Sequence, residues 1–151
     1  MKLRIKTLVN APLHLVKAGF TQELFLSLNP PFPPVRLLQF DGCETGDMVE
    51  LELNFIFFKQ RWVSMITADS HTEDRWYFMD EGTKLPFFLK SWRHHHSVEK
   101  RDRGSAIIDD ITYATGTLLT DFLMYPALLG QFLYRKPVYK RIFQDRSVQT
   151  R

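Results

Sequence analysis

Residues 2–9 alternate, with Leu3, Ile5, Thr7 and Val9 on one face and Lys2, Arg4 and Lys6 on the other. A period of two predicts a half-buried strand. Asn10-Ala11-Pro12 then predicts a helix start, with Asn10 as the cap and Pro12 near the first turn. Residues 12–18 read as a short helix broken at Gly19, and Thr21-Gln22-Glu23-Leu24 opens a second. That helix ends before Asn29-Pro30-Pro31-Phe32-Pro33-Pro34, a stiff loop too short to separate domains.

From Val35 to Thr115 the pattern is strand-like. Val35–Asp41 ends at the Asp41-Gly42 turn. Met48–Phe55 alternates strictly, with Val49, Leu51, Leu53 and Phe55 set against Glu50, Glu52 and Asn54. Arg61–Ser70 and Arg75–Asp80 are rich in residues that favour a pleated surface, and Glu81-Gly82-Thr83 reads as a turn. Phe88–Lys100 reads as a long strand, joined through Arg101-Asp102-Arg103-Gly104 to a last strand, Ser105–Thr115.

At Gly116 the period changes. From Thr117 to Phe143 apolar residues recur in steps of three and four, the mark of one long amphipathic helix. Phe122, Leu129, Phe132 and Leu133 are expected to face the sheet. Pro126 and Pro137 each remove a backbone donor and are expected to kink or break the helix. Seven strands joined by short turns imply an antiparallel sheet with one face for that helix to cover, an α+β architecture. Side chains do not fill the concave side of a curved sheet everywhere, so a cavity is expected between sheet and helix.

Composition narrows the class. The 151 residues (17.8 kDa) fit one domain, expected over 1–145, with a basic tail at 146–151. With 44% apolar and 25% charged residues the chain is not of the disordered type. Thirteen Phe, five Tyr and three Trp supply either a bulky core or the lining of an apolar cavity. Cys43 is the single cysteine, which excludes an internal disulfide and a cysteine-only zinc site and points to a reducing cytoplasm. No run is long enough for a membrane helix, and the charged N-terminal alternation lacks the core of a signal peptide. The net charge of +3 is too small to argue for nucleic acid. Residues 41–81 carry ten acidic and three basic residues, whereas 135–151 carry six basic and one acidic. The basic end reads as a solvated helix terminus, or as a tail that touches an anionic membrane surface.

Candidate chemistry lies on the last two strands. Alternation places Phe88, Trp92, His94, His96 and Val98 on one face, with His95 on the other. Ile107, Asp109, Ile111 and Tyr113 share a face of the next strand, and the short turn sets Asp109 near His94 or His96. A carboxylate beside imidazole favours the ionised Asp and the charged His. Four readings follow: a buried pair that fixes the register, a polar anchor for an apolar ligand, an acid/base pair, or a two-His, one-Asp metal site, of which the last rests on a single triplet. Cys43, beside Glu44 and Asp47, is expected to be a poor nucleophile. Phosphate loops, dinucleotide fingerprints, nucleophile elbows and His-Glu-x-x-His are absent from the sequence.

Trp92-Arg93-His94-His95-His96, Gly104, Asp109-Asp110-Ile111-Thr112-Tyr113, Gly116 and Phe132-Leu133-Tyr134-Arg135 resemble a pattern in uncharacterised bacterial members of the START and birch-pollen-allergen superfamily, also called SRPBCC. The element order from Leu3 to about Phe143 resembles its helix-grip fold, a curved seven-stranded sheet around a C-terminal helix. The resemblance implies a cavity for a hydrophobic or amphipathic small molecule such as a lipid, polyketide or quinone, and it does not imply one reaction. Trp92, His94, His96, Asp109, Tyr113, Phe122 and Leu129 are the expected ligand-binding residues. No metal or other cofactor is expected, and a non-catalytic binder is favoured over a cyclase or hydratase using the His/Asp cluster.

Overall fold

The alternating start of the chain forms β1, Lys2–Val9, whose side chains switch strictly between exposed and buried. The computed structural model describes residues 1–144, so the basic tail expected at 146–151 lies outside the described residues. Two short helices follow, α1 (Leu13–Ala18) and α2 (Gln22–Ser27). Asn10 does not cap α1. Pro12 holds that place, its extended backbone presenting a carbonyl to Leu15 and Val16. Thr21 caps α2, its hydroxyl accepting from the Leu24 N–H.

The remaining strands are β2 (Val35–Phe40), β3 (Met48–Phe55), β4 (Phe58–His71), β5 (Arg75–Lys84), β6 (Ser91–Lys100) and β7 (Ser105–Ala114). They form one sheet in the order β1-β7-β6-β5-β4-β3-β2, with every neighbouring pair antiparallel. Three strand boundaries differ from expectation, the first being that of β4, which starts at Phe58 rather than Arg61. Glu81-Gly82-Thr83 is not a turn; β5 continues through it to Lys84, absorbing two bulges against β4. A third bulge, at Leu38, offsets β2 from β3. The segment before β6 is a loop, because the Leu89 N–H turns back to the Pro86 carbonyl. Phe88 therefore precedes the strand.

The helix α3, Leu118–Gln144, runs unbroken through both Pro126 and Pro137, so the expected break does not occur. Its start is tied to β7. The Thr117 hydroxyl accepts from the Thr120 N–H, and the buried Asp121 carboxylate accepts from the Thr115 N–H at 2.6 Å and the Thr115 hydroxyl at 2.8 Å. Leu128, Phe132, Val138, Tyr139 and Phe143 are buried against the sheet. Phe122 is 70% exposed and Leu133 45%, so neither faces the sheet as expected. The stripe that does so is set a few positions round the helix.

The core lies in two parts. One joins Val16, Leu24, Trp76, Phe78 and Ile107 to Tyr139 and Phe143. The other joins Leu3, Ile5, Trp92 and Ile111 to Leu128 and Phe132. Both hold α3 toward the β1 and β7 side, leaving space beneath it over the other strands.

Candidate functional site

That space is a cavity of about 770 Å³ between α3 and the concave face of the sheet, within the size range of small-molecule sites. Its wall combines sheet residues of β2–β6, the proline loop 30–33, and α3 residues including Leu128, Gln131, Phe132, Arg135 and Tyr139. Most of the lining is apolar. Leu51, Leu53, Phe55 and Trp62 come from the β3–β4 hairpin, whose alternation points every second side chain inward.

Polar groups gather at one end, on three adjacent strands. The sheet register sets Asp80 of β5 opposite His94, and His96 of β6 opposite Asp109 of β7. His94 Nε2 lies 2.8 Å and His96 Nδ1 3.0 Å from the same oxygen, Asp109 Oδ1. An ionised carboxylate only accepts, so both ring nitrogens carry the hydrogen and donate. The other face of the His94 ring turns to Asp80, with Nδ1 4.0 Å from Oδ2.

Burial pushes the Asp109 carboxyl up, but the hydrogen bonds and charge of the two histidines reverse this and hold it well below the usual carboxylate range. Burial pushes His96 down, and the Asp109 carboxylate only partly offsets that. His96 is thus held toward its neutral form, against the expectation of a charged ring. Desolvation exceeds what one shared oxygen returns. Burial likewise raises Asp80, which His94 partly counters. The Asp80 side chain lines the hollow and is 21% exposed.

Two buried polar atoms of this cluster, His96 Nε2 and Asp109 Oδ2, have no hydrogen-bond partner among the described residues, while the Trp92 indole and Ser64 face the Asp80 carboxylate and the Tyr139 hydroxyl faces Arg135. With His96 neutral and its hydrogen on Nδ1, Nε2 is an open acceptor. Arg135 adds a cation, its guanidinium stacked 4.2 Å over the Phe132 ring. The cavity end therefore offers both donors and acceptors to a polar ligand group, and each orphan atom costs stability until it is met. His94, His96 and Asp109 also present three ligand atoms within 4.8 Å of one another, the one such trio among the described residues. Both nitrogens, however, stand at hydrogen-bond distance from one oxygen. A metal there would have to replace both hydrogens.

Of the expected residues, Trp92, His94 and His96 line the cavity. Asp109 stands behind the histidines as their acceptor. Tyr113 is turned away, because its hydroxyl donates to the Asp121 carbonyl at 2.7 Å and so ties β7 to α3. Leu129 packs against the second core part, and Phe122 lies on the outer surface. Asp80, Arg135 and Tyr139 were not expected in the site. The β4–β5 bulges that aim Asp80 leave no mark in the alternation, whereas the i, i+4 pair Arg135 and Tyr139 was readable. Cys43 also lines the cavity, and burial, with Asp47, Asp80 and Glu44 nearby, pushes its thiol up to about 12.

Solved structures match the fold over nearly the whole chain. A norcoclaurine synthase point mutant from Thalictrum flavum superposes with a TM-score of 0.70 at 9% identity, covering 97% of this chain and 96% of its own. Ara h 8.0201 gives 0.60 at 16% identity, covering 92% and 97%. This chain has the helix-grip fold. The di-domain ARO/CYC protein StfQ of the steffimycin biosynthetic pathway gives 0.68 at 10% identity, covering 97% of this chain and 51% of that one. The helix-grip fold expected from the element order is thus borne out. No family model and no curated protein matches the helix-grip chain in sequence.

Proposed function

We propose that this helix-grip protein binds a hydrophobic or amphipathic small molecule with one polar end, in the cavity between the sheet and α3. The observation that carries this is the gathering of Asp80, His94, His96, Arg135 and Tyr139, with His96 Nε2 unpaired, at one end of an otherwise apolar hollow. A ligand that hides about 300 Å² of its own apolar surface gains roughly 7 kcal/mol, from which the cost of association is subtracted. Asp80, His96, Arg135 and Tyr139 would orient the polar end.

The test is fluorescence titration with an apolar, single-headed dye, together with native mass spectrometry of the purified protein. Saturable one-to-one binding is expected, with Trp62 and Trp92 reporting it. Ile66→Trp, which fills the cavity floor, should abolish it. Unsaturable binding, or binding that Ile66→Trp leaves unchanged, rules the reading out.

A second reading is a cyclase- or hydratase-type enzyme. Neutral His96 with its open Nε2, backed by ionised Asp109, has the form of a general base. The fold likeness to a synthase and to an ARO/CYC protein supports it. Linear poly-β-carbonyl compounds followed by loss of water in mass spectrometry would test it. An enzyme should lose roughly 100-fold or more of its turnover in His96→Gln, whereas a carrier shows no mass change and keeps partial affinity.

A further inference from the structure

The outer face of α3 is apolar where a helix on a sheet normally presents charge. From Leu118 to Tyr134 the sole charged residue is Asp121, which is buried as the clamp on Thr115. Leu118 is 83% exposed and Leu119, Phe122 and Leu123 all more than half exposed. Pro126, Gly130, Leu133 and Pro137 continue that exposed face by steps of three and four, and the spacing then delivers Lys140 and Arg141, both exposed. The stripe from Leu118 to Tyr134 is about 25 Å long at 1.5 Å per residue.

Charge decides between occupants. The described part of α3 carries four basic residues, Arg135, Lys136, Lys140 and Arg141, and no exposed acidic one. A second copy that met this face with its own α3 would bring apolar surface but no exposed acid for these cations. An anionic bilayer supplies both, with acyl boundary for the leucines and Phe122 and headgroup charge for Lys140 and Arg141. Position agrees. Ala127, Gly130 and Tyr134 are exposed on the helix and also line the cavity, so the mouth opens along the same surface.

We infer that the outer face of α3 docks on an anionic lipid bilayer and sets the cavity mouth against it. This delivery role rests on the proposed ligand cavity, since a membrane-resident amphipathic molecule would pass directly between the two. The docking itself does not depend on it.

Co-sedimentation of the full chain with phosphatidylcholine vesicles, with and without about a third phosphatidylglycerol, tests the inference. Binding to the anionic vesicles is expected, at least about tenfold tighter than to the neutral ones and weakened by salt. Leu119→Glu with Phe122→Glu alters exposed side chains, so the thermal midpoint should hold while vesicle binding falls about tenfold or more. Lys140→Glu with Arg141→Glu should remove the preference for anionic lipid. No vesicle binding, or binding indifferent to Leu119→Glu and Phe122→Glu, overturns the inference. So does a concentration-dependent dimer in sedimentation equilibrium that these substitutions abolish. Dye binding in vesicle-free solution separates the two proposals, because it should survive both pairs of substitutions and fail only if the cavity reading is wrong.

Discussion

His96 stands where the apolar hollow and the polar sheet ladder make opposite demands. Its ring is enclosed by Phe20, Phe78 and Tyr139, and its one protein acceptor is an oxygen shared with His94. Its folded pKa lies below the ordinary 6.5, so the unfolded chain takes up the proton first as pH falls. Its contribution is therefore present above about 6.5 and lost below it, by at most about 1.4 kcal/mol per pH unit. Asp109 acts in the same sense lower down, being present above 3.8 and lost as pH falls further. Asp80 acts oppositely: its raised carboxyl contributes at low pH and loses that as pH rises above 3.8. Thermal midpoints of wild type and His96→Gln from pH 5 to 8 isolate the histidine. The variant should lose less stability between pH 7 and 5, and parallel curves would show that His96 is not held neutral. Tyr113→Phe belongs to the same scale. It should cost about 1 kcal/mol by removing the bond to the Asp121 carbonyl, while dye affinity stays unchanged. A large loss of dye affinity would return Tyr113 to the site.

Among the elements, α3 was the least legible, although its length and ends were readable. Both of its faces are apolar, so the three-four rhythm marks a helix without saying which stripe meets the sheet. Phe122 and Leu133 were misplaced for that reason, while Phe132 was placed correctly. The strand β3 was legible because charged and apolar residues alternate along it, and β6 and β7 because the hairpin turn between them brings Asp109 opposite His96. Bulges and a reversal at Leu89 carry no such signature, so the extent of β5 and the start of β6 were not. Gly130 sits within α3 with nothing near the place of a side chain. Gly130→Ala should raise stability by about 0.5–1 kcal/mol, read as an upward shift of the thermal midpoint. A fall would mean that the cavity mouth requires glycine there.

At the scale of the whole molecule, Cys43 reports on the cavity. A thiol raised to about 12 in the wall should react with a maleimide or iodoacetamide roughly a thousandfold more slowly at neutral pH than an ordinary cysteine. A bound ligand should slow it further, and an ordinary rate that ligand leaves unchanged would place Cys43 in open solvent. The curl of seven strands around one helix was expected from element order, and the structure follows it. The hollow's polar end was half legible: its histidines show in the spacing, but its orphan atoms depend on burial that no local pattern encodes.

The sheet is open, so β1 and β2 each leave one row of backbone groups unpaired. Lys2, Arg4 and Lys6 stand along the first of these borders, and the second is short, follows four prolines and is offset by the bulge at Leu38. Neither offers another chain a long, flat template, so a protein this rich in aromatics should resist growing strand by strand into fibrils.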